Sequence, residues 1–202
     1  ILLQEAIEPR LLGIRRFWKI GMFLVLSAGV LLSFSRGAWI NMAVGIVVLT
    51  AVFLIRRGGG RRALAILAVV LVAGAALTGV VAAGGSVEFL EQRTGLQADD
   101  SERFGAQRTG TERASRFPFG IGPGQFEEVS PVATHSAYVR VLAEQGVLGF
   151  FAFLALLLAT LLFALRNAVL GLSTFGIGSA ALLVSWCGLM VNSLAVDTLH
   201  WR

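Results

Sequence analysis

VLGFFAFLALLLATLLFAL, residues 147–165, decides the fold. No charged residue interrupts it. An unbroken apolar run of about 18 or more residues reads as a membrane span, whereas a surface helix of a soluble domain is apolar along one stripe only. Four further runs lie outward from it: Trp18 to Phe34, Ala38 to Ile55, Ala63 to Ala83, and Val169 to Ala195. Hydrocarbon offers the backbone no water, so each spanning segment must close its own hydrogen bonds as a helix. The expected fold is all-α. It is a polytopic integral membrane protein with about five transmembrane helices in this segment and one long extracytoplasmic loop containing short helices.

Composition agrees. The chain is 56% hydrophobic and 14% charged, against about 25% charged in a typical soluble domain. Its formal net charge is +5. In a soluble protein such an excess would suggest nucleic acid. Here the cations sit beside the spans, which points to topology and to membrane lipids as neighbours, with no nucleic-acid partner.

Arg10, Arg15, Arg16 and Lys19 precede the first run. Arg56, Arg57, Arg61 and Arg62 flank three glycines between the second and third, and Arg166 separates the fourth from the fifth. An N-terminus inside puts all of these on the cytoplasmic side. The turn at Ser35–Gly37, the segment Gly84–Gly146 and the end from Asp197 to Arg202 then face out. The chain divides into 1–83, a cytoplasmic stretch and three spans; 84–146, an extracytoplasmic catalytic loop; and 147–202, two spans and an outer end. Ala-, Gly- and Arg-rich usage is that of a GC-rich bacterial genome. The chain opens at Ile1 and stops at Trp201-Arg202, so we expect a piece of a longer protein. Cys187, the single cysteine, lies in an apolar run and reads as a small core residue.

The outer segment holds nine acidic and six basic residues. Asp99-Asp100-Ser101 can cap a helix running to about Arg116, although Gly105 and Gly110 weaken it. Pro118 ends that helix, and Phe119 to Gly124 is a turn-rich connection. Thr134 can cap a second helix from His135 to Gln145, closed by Gly146.

The candidate chemistry concentrates in this segment. At the start of that second helix the dipole disfavours imidazolium, so His135 can serve as a general base. From the bare sequence the commoner reading is a surface histidine that packs or caps. Tyr138, three residues on, either shares its pocket or anchors at the membrane interface. Glu144 falls on the opposite helix face and pairs more naturally with Arg140. Arg36 and Arg103 are each either headgroup contacts or fixed cations for a phosphate. Arg108, Arg113 and Arg116 read as a charged surface. Gly120, Gly122 and Gly124 form either a turn or a nest of N–H groups for a phosphate. Asp197 and His200 are a reserve acid/base pair or an interfacial cap. No metal cluster, Walker loop or dinucleotide fingerprint appears in the sequence, so no cofactor is indicated.

Three segments together resemble the O-antigen ligase and polymerase family. They are Ser33-Phe34-Ser35-Arg36-Gly37-Ala38-Trp39; Arg103 followed by Pro118-Phe119-Gly120-Ile121-Gly122-Pro123-Gly124-Gln125-Phe126; and His135-Ser136-Ala137-Tyr138 through Leu142-Ala143-Glu144-Gln145-Gly146-Val147-Leu148-Gly149. The family often has Asn where this chain has Ser136. The resemblance implies the C-terminal half to two-thirds of a protein with ten or more spans. It implies metal-independent, inverting transfer of a glycan from an undecaprenyl-pyrophosphate carrier to an acceptor hydroxyl. The donor is a lipid-linked glycan and the acceptor a glycan or lipid-glycan. Arg36 and Arg103 match the family's outer-face arginines, and His135 its loop histidine. Two other classes compete: a transporter of a small anion such as bicarbonate, and a non-catalytic subunit of a polysaccharide assembly complex. Transport would favour ionisable residues inside the spans, and these runs are nearly free of them.

Overall fold

The computed structural model describes residues 1–9, 11–33, 35–56, 58–83, 98–130 and 134–195. Side chains are described throughout these except at 73, 76–83, 98–103, 129 and 195. Among the described residues the helices, in order, are α1 Leu2–Ile7, α2 Arg16–Leu32, α3 Arg36–Ile55, α4 Gly60–Ala83, α5 Ala98–Arg116, α6 Phe126–Val129, α7 Ala137–Val169 and α8 Ser179–Ala195. A two-stranded antiparallel hairpin, β1 Ser173–Thr174 and β2 Ile177–Gly178, lies between α7 and α8. The fold is all-α apart from this hairpin among the described residues.

The first four apolar runs coincide with α2, α3, α4 and the C-terminal part of α7. Two helices, α3 and α7, are long and apolar enough to cross a membrane, and α8 is apolar but shorter. Only 6% of the most apolar window of α7 is buried. A core helix of a soluble protein would be buried nearly all round, so this one offers its surface to lipid.

The fifth run differs from expectation. It is not one helix from Val169: the chain leaves α7 at Val169, turns through the hairpin and re-enters a helix only at Ser179. The cause is local. Gly171, Phe175 and Gly176 all have positive φ, a conformation that no helix interior holds. Thr174 prefers extended backbone. Apolarity alone concealed a turn.

The described residues form two compact units, Ile1–Gly95 with Leu161–Gly188, and Leu96–Thr160 with Leu189–Arg202. The core of the first is Phe53, Ile66, Val52, Leu49, Leu183 and the alanines Ala63, Ala168 and Ala180. The sequence reading missed α1, six residues without a periodic signal. It packs on α2 and α4 through Leu3 and Ala6.

A set of buried ion pairs closes one end of this unit. Lys19, 1% exposed, donates to the Glu5 carboxylate at 3.3 Å and to the Glu5 carbonyl at 3.2 Å. The same carboxylate accepts from the backbone N–H groups of Leu11 and Leu12. Arg56 donates through Nε to the Ala168 carbonyl at 2.7 Å, and its Nη2 reaches the same oxygen. Its Nη1 meets Glu8 at 2.9 Å, and the guanidinium lies 4.9 Å from the Phe53 ring centroid. Arg62 also holds Glu8, at 2.6 Å. The Arg56–Arg62 turn, the end of α7 and the N-terminal segment are therefore joined, and these are three of the segments that the distribution of cations assigned to one face. Arg10 and Arg57, from the same clusters, lie outside the described residues.

Arg56→Ala should leave the Ala168 carbonyl with the Gly171 N–H and take from Glu8 its most buried cation. Breaking a buried pair of this kind costs about 3–5 kcal/mol, read as a lowered Tm of the detergent-solubilised protein. Arg62→Ala removes a partner whose side chain is 47% exposed and should cost under about 1 kcal/mol.

Candidate functional site

α5 places the loop unit. Ala106, Gly110 and Ala114 recur every four residues, and all three are buried. A Cβ on Gly110 would lie 2.4 Å from Val139 and 3.4 Å from Phe126. The glycine that weakened this helix in the sequence is thus the residue that lets α7 approach. The helix already includes Asp99–Ser101, which therefore stand in its first turn instead of before it, and it ends at Arg116 as expected. Arg103 lies on α5 seven residues before Gly110, so by helical register it shares that face. Arg108 is on the exposed side, paired with Glu112 at 3.0 Å.

The second anchor is a break in α7. Gly146 has φ 70 and ψ −170 inside an otherwise continuous helix. A break orphans the carbonyls of the preceding turn, and the glycine-rich turn supplies their partners. Ile121 N–H donates to the Ala143 carbonyl and Gly122 N–H to the Glu144 carbonyl, both at 3.0 Å. Val147 N–H donates to the Pro118 carbonyl at 2.9 Å. The two backbones touch without intervening side chains. A Cβ on Gly120 would lie 2.2 Å from the Glu144 oxygen, and one on Gly146 would lie 2.3 Å from the Pro118 oxygen. Both positions also have positive φ, so both require glycine.

The Glu144 carboxylate completes the clamp. It accepts from Gly124 N–H at 3.0 Å and from Phe126 N–H at 3.4 Å. Arg140 donates to it through Nε at 3.1 Å and reaches Glu127 at 3.2 Å. Side-chain exposure is 10% for Arg140 and 8% for Glu144, so the pair is held away from water. Of the two amides that were candidates for a phosphate, Gly124 N–H meets an anion of the chain itself, the Glu144 carboxylate, and Gly122 N–H meets the Glu144 carbonyl. The Arg140–Glu144 pair was legible at i,i+4. The latch onto the glycine turn was not, because its partners are main-chain amides.

His135 is placed differently from the sequence expectation. It is not in the first helical turn, and Thr134 is not the cap. Ser136 is the cap residue, because its carbonyl accepts the first helical bond, from Arg140 N–H at 3.0 Å. The Thr134 hydroxyl folds onto Ser136 instead, donating to its carbonyl at 3.1 Å and accepting its N–H at 3.4 Å. His135 stands just outside, half-buried, with φ 49. A left-handed non-glycine residue costs on the order of 1–3 kcal/mol and is held only by firm surroundings. Thr134, Ser136 and Ala137 supply them, all buried. His135 lies outside α7, so i,i+3 helical spacing does not bring it to the face of Tyr138. The Tyr138 hydroxyl donates to the Met190 carbonyl at 3.0 Å, and its ring meets Phe153 edge-on at 5.8 Å. The Ser136 hydroxyl reaches the Ser193 carbonyl at 3.5 Å.

Arg36 belongs to the other unit and opens α3. Ser35 caps that helix by accepting Ala38 N–H, and the Trp39 indole donates to the Leu31 carbonyl at 3.1 Å, closing the turn from α2. A cation at a helix N-terminus opposes the helix dipole. The arrangement suits an anion that takes both the guanidinium and the helix end. Asp197 and His200 lie outside the described residues.

A family model described as O-antigen ligase matches residues 21–154, which takes in Arg36, Arg103, the glycine turn and His135. No curated protein and no solved structure matches the chain.

Glu144→Ala should release the glycine turn and take from Arg140 its most buried partner, costing about 3–5 kcal/mol. Limited proteolysis between residues 117 and 126 should become faster, while Arg108→Ala leaves it unchanged. Unaltered cleavage in the Glu144 variant would show that the clamp does not hold the turn.

Proposed function

This chain belongs to the O-antigen ligase family, and we propose that it transfers a glycan from an undecaprenyl-pyrophosphate carrier to an acceptor hydroxyl. The family implies a membrane protein of polysaccharide biosynthesis with ligase or glycosyltransferase-type activity. The finer assignment rests on one observation above all. His135, the residue that matches the family's loop histidine, is held half-exposed in a strained conformation between two buried neighbours.

In this reading Arg36 and Arg103 take the pyrophosphate, each offering a planar fork of donors. His135 accepts the proton of an acceptor hydroxyl. The hydroxyl oxygen forms its bond to the anomeric carbon as the bond from that carbon to the phosphate oxygen breaks. The electron pair leaves on the pyrophosphate, where two guanidiniums stabilise it. A single displacement inverts the anomeric carbon and needs neither metal nor nucleotide. Gly122, Gly124 and Tyr138 shape the wall of the site, the glycines through the Glu144 clamp and Tyr138 through its tether to Met190. The chain is a polytopic protein of the bacterial inner membrane with five spans, its Arg56–Arg62 turn cytoplasmic and its loop outside.

Two experiments test this. A positioned base contributes on the order of 10²–10⁴ in rate. His135→Ala should therefore nearly abolish transfer from purified lipid-linked glycan while donor binding survives, and Arg36→Lys should weaken both. Near-normal turnover of the His135 variant would place the base elsewhere. For orientation, in a Cys187→Ala background, Arg108→Cys should react with an impermeant maleimide in intact cells and Arg61→Cys only after the inner face is opened. The reverse pattern would overturn the topology.

A further inference from the structure

The hairpin between α7 and α8 carries an unusual residue at its tip. Phe175 and Gly176 are its two central residues, both with positive φ, the signature of a type I′ turn. Such turns favour Asn, Asp or Gly at the first position, and a bulky residue there is strained. The phenylalanine is also 95% exposed. Its neighbours Leu170 and Leu172 are exposed as well. In water this combination is unfavourable twice over, through backbone strain and through bare apolar surface.

The surroundings say what covers it. The Val147–Val169 part of α7 is roughly 34 Å long at about 1.5 Å per residue, slightly more than the roughly 30 Å of hydrocarbon. A hairpin that follows directly falls at headgroup depth. The Leu170 N–H is bonded to the Arg166 carbonyl. Gly171 lies beside the Arg56 guanidinium, on the same turn as Arg61. Arg61 and Arg166 are exposed, and neither makes an ion pair among the described residues. Exposed cations without an ion pair among the described residues, one on the helix end that leads into the hairpin and one on the turn that meets Gly171, match a surface that is apolar below and anionic above.

We propose that this hairpin is a membrane-interface wedge: Phe175 seats at the headgroup–acyl boundary of an anionic leaflet, and Arg61 and Arg166 engage lipid phosphates. The inference is independent of the transfer chemistry and requires only that α7 spans the bilayer.

The test uses the full chain in proteoliposomes. Phe175→Cys in a Cys187→Ala background carries a bimane fluorophore, with lipids brominated near the carbonyl or aqueous iodide as quenchers. In vesicles containing phosphatidylglycerol, brominated lipid should quench the probe and iodide should not. Adding Arg61→Gln and Arg166→Gln, or using phosphatidylcholine alone, should weaken the seating on the order of tenfold. Iodide quenching without lipid quenching, in both vesicle types, would overturn the wedge. Lipid quenching that ignores both the arginines and the headgroup charge would overturn the electrostatic part.

Discussion

The loop unit depends on one break in a helix. At Gly146 the backbone of α7 leaves helical geometry, and the carbonyls behind the break need donors. The glycine-rich turn provides them by laying its own backbone across the gap, at a separation that admits no Cβ on either side. One carboxylate, Glu144, then locks the turn and neutralises Arg140 in the same place. Everything at the start of α7, including the strained His135, rests on a helix whose far end is fixed in this way. Two sequence segments far apart in the chain thus form a single mechanical piece, and neither would hold its shape alone.

The other unit solves a related problem with charge. Lys19, Arg56 and Arg62 sit where three chain segments meet, and each finds an acid or a carbonyl. Such pairs contribute little net stability over an apolar packing of equal shape. Their value is geometric, since a guanidinium that bonds both the Ala168 carbonyl and Glu8 fixes how those segments meet. Arg36 opens α3, a cation at the positive end of a helix, where stability of the helix would prefer an acid.

Much of this was legible in the residues. Apolar runs gave the helices, because hydrocarbon enforces one backbone solution. Proline and glycine gave the ends of α5 and of the loop part of α7. Apolar composition hid the hairpin, since Leu170, Leu172, Phe175 and Ile177 look like helix until the positive φ at Gly171, Phe175 and Gly176 is known. The placement of His135 was misread because Thr134 and Ser136 are equally good caps, and only the hydrogen bond to Ser136 decides between them. The Glu144 clamp was invisible for a different reason. It joins residues far apart in sequence through main-chain amides, and amides carry no side-chain identity to read.

The tethers of Tyr138 and Ser136 to α8 have a bearing on how such a chain can diverge. Both end on main-chain carbonyls, those of Met190 and Ser193. A carbonyl is present whatever side chain stands at the position, and its second lone pair is open even within a helix. Positions 190 and 193 are therefore released from any duty of recognition and can drift with the lipid or with neighbouring helices. The hydroxyls on α7 have no such freedom. Variation is channelled to one partner of each contact, and the attachment of the histidine-bearing segment outlasts changes in the helix that holds it.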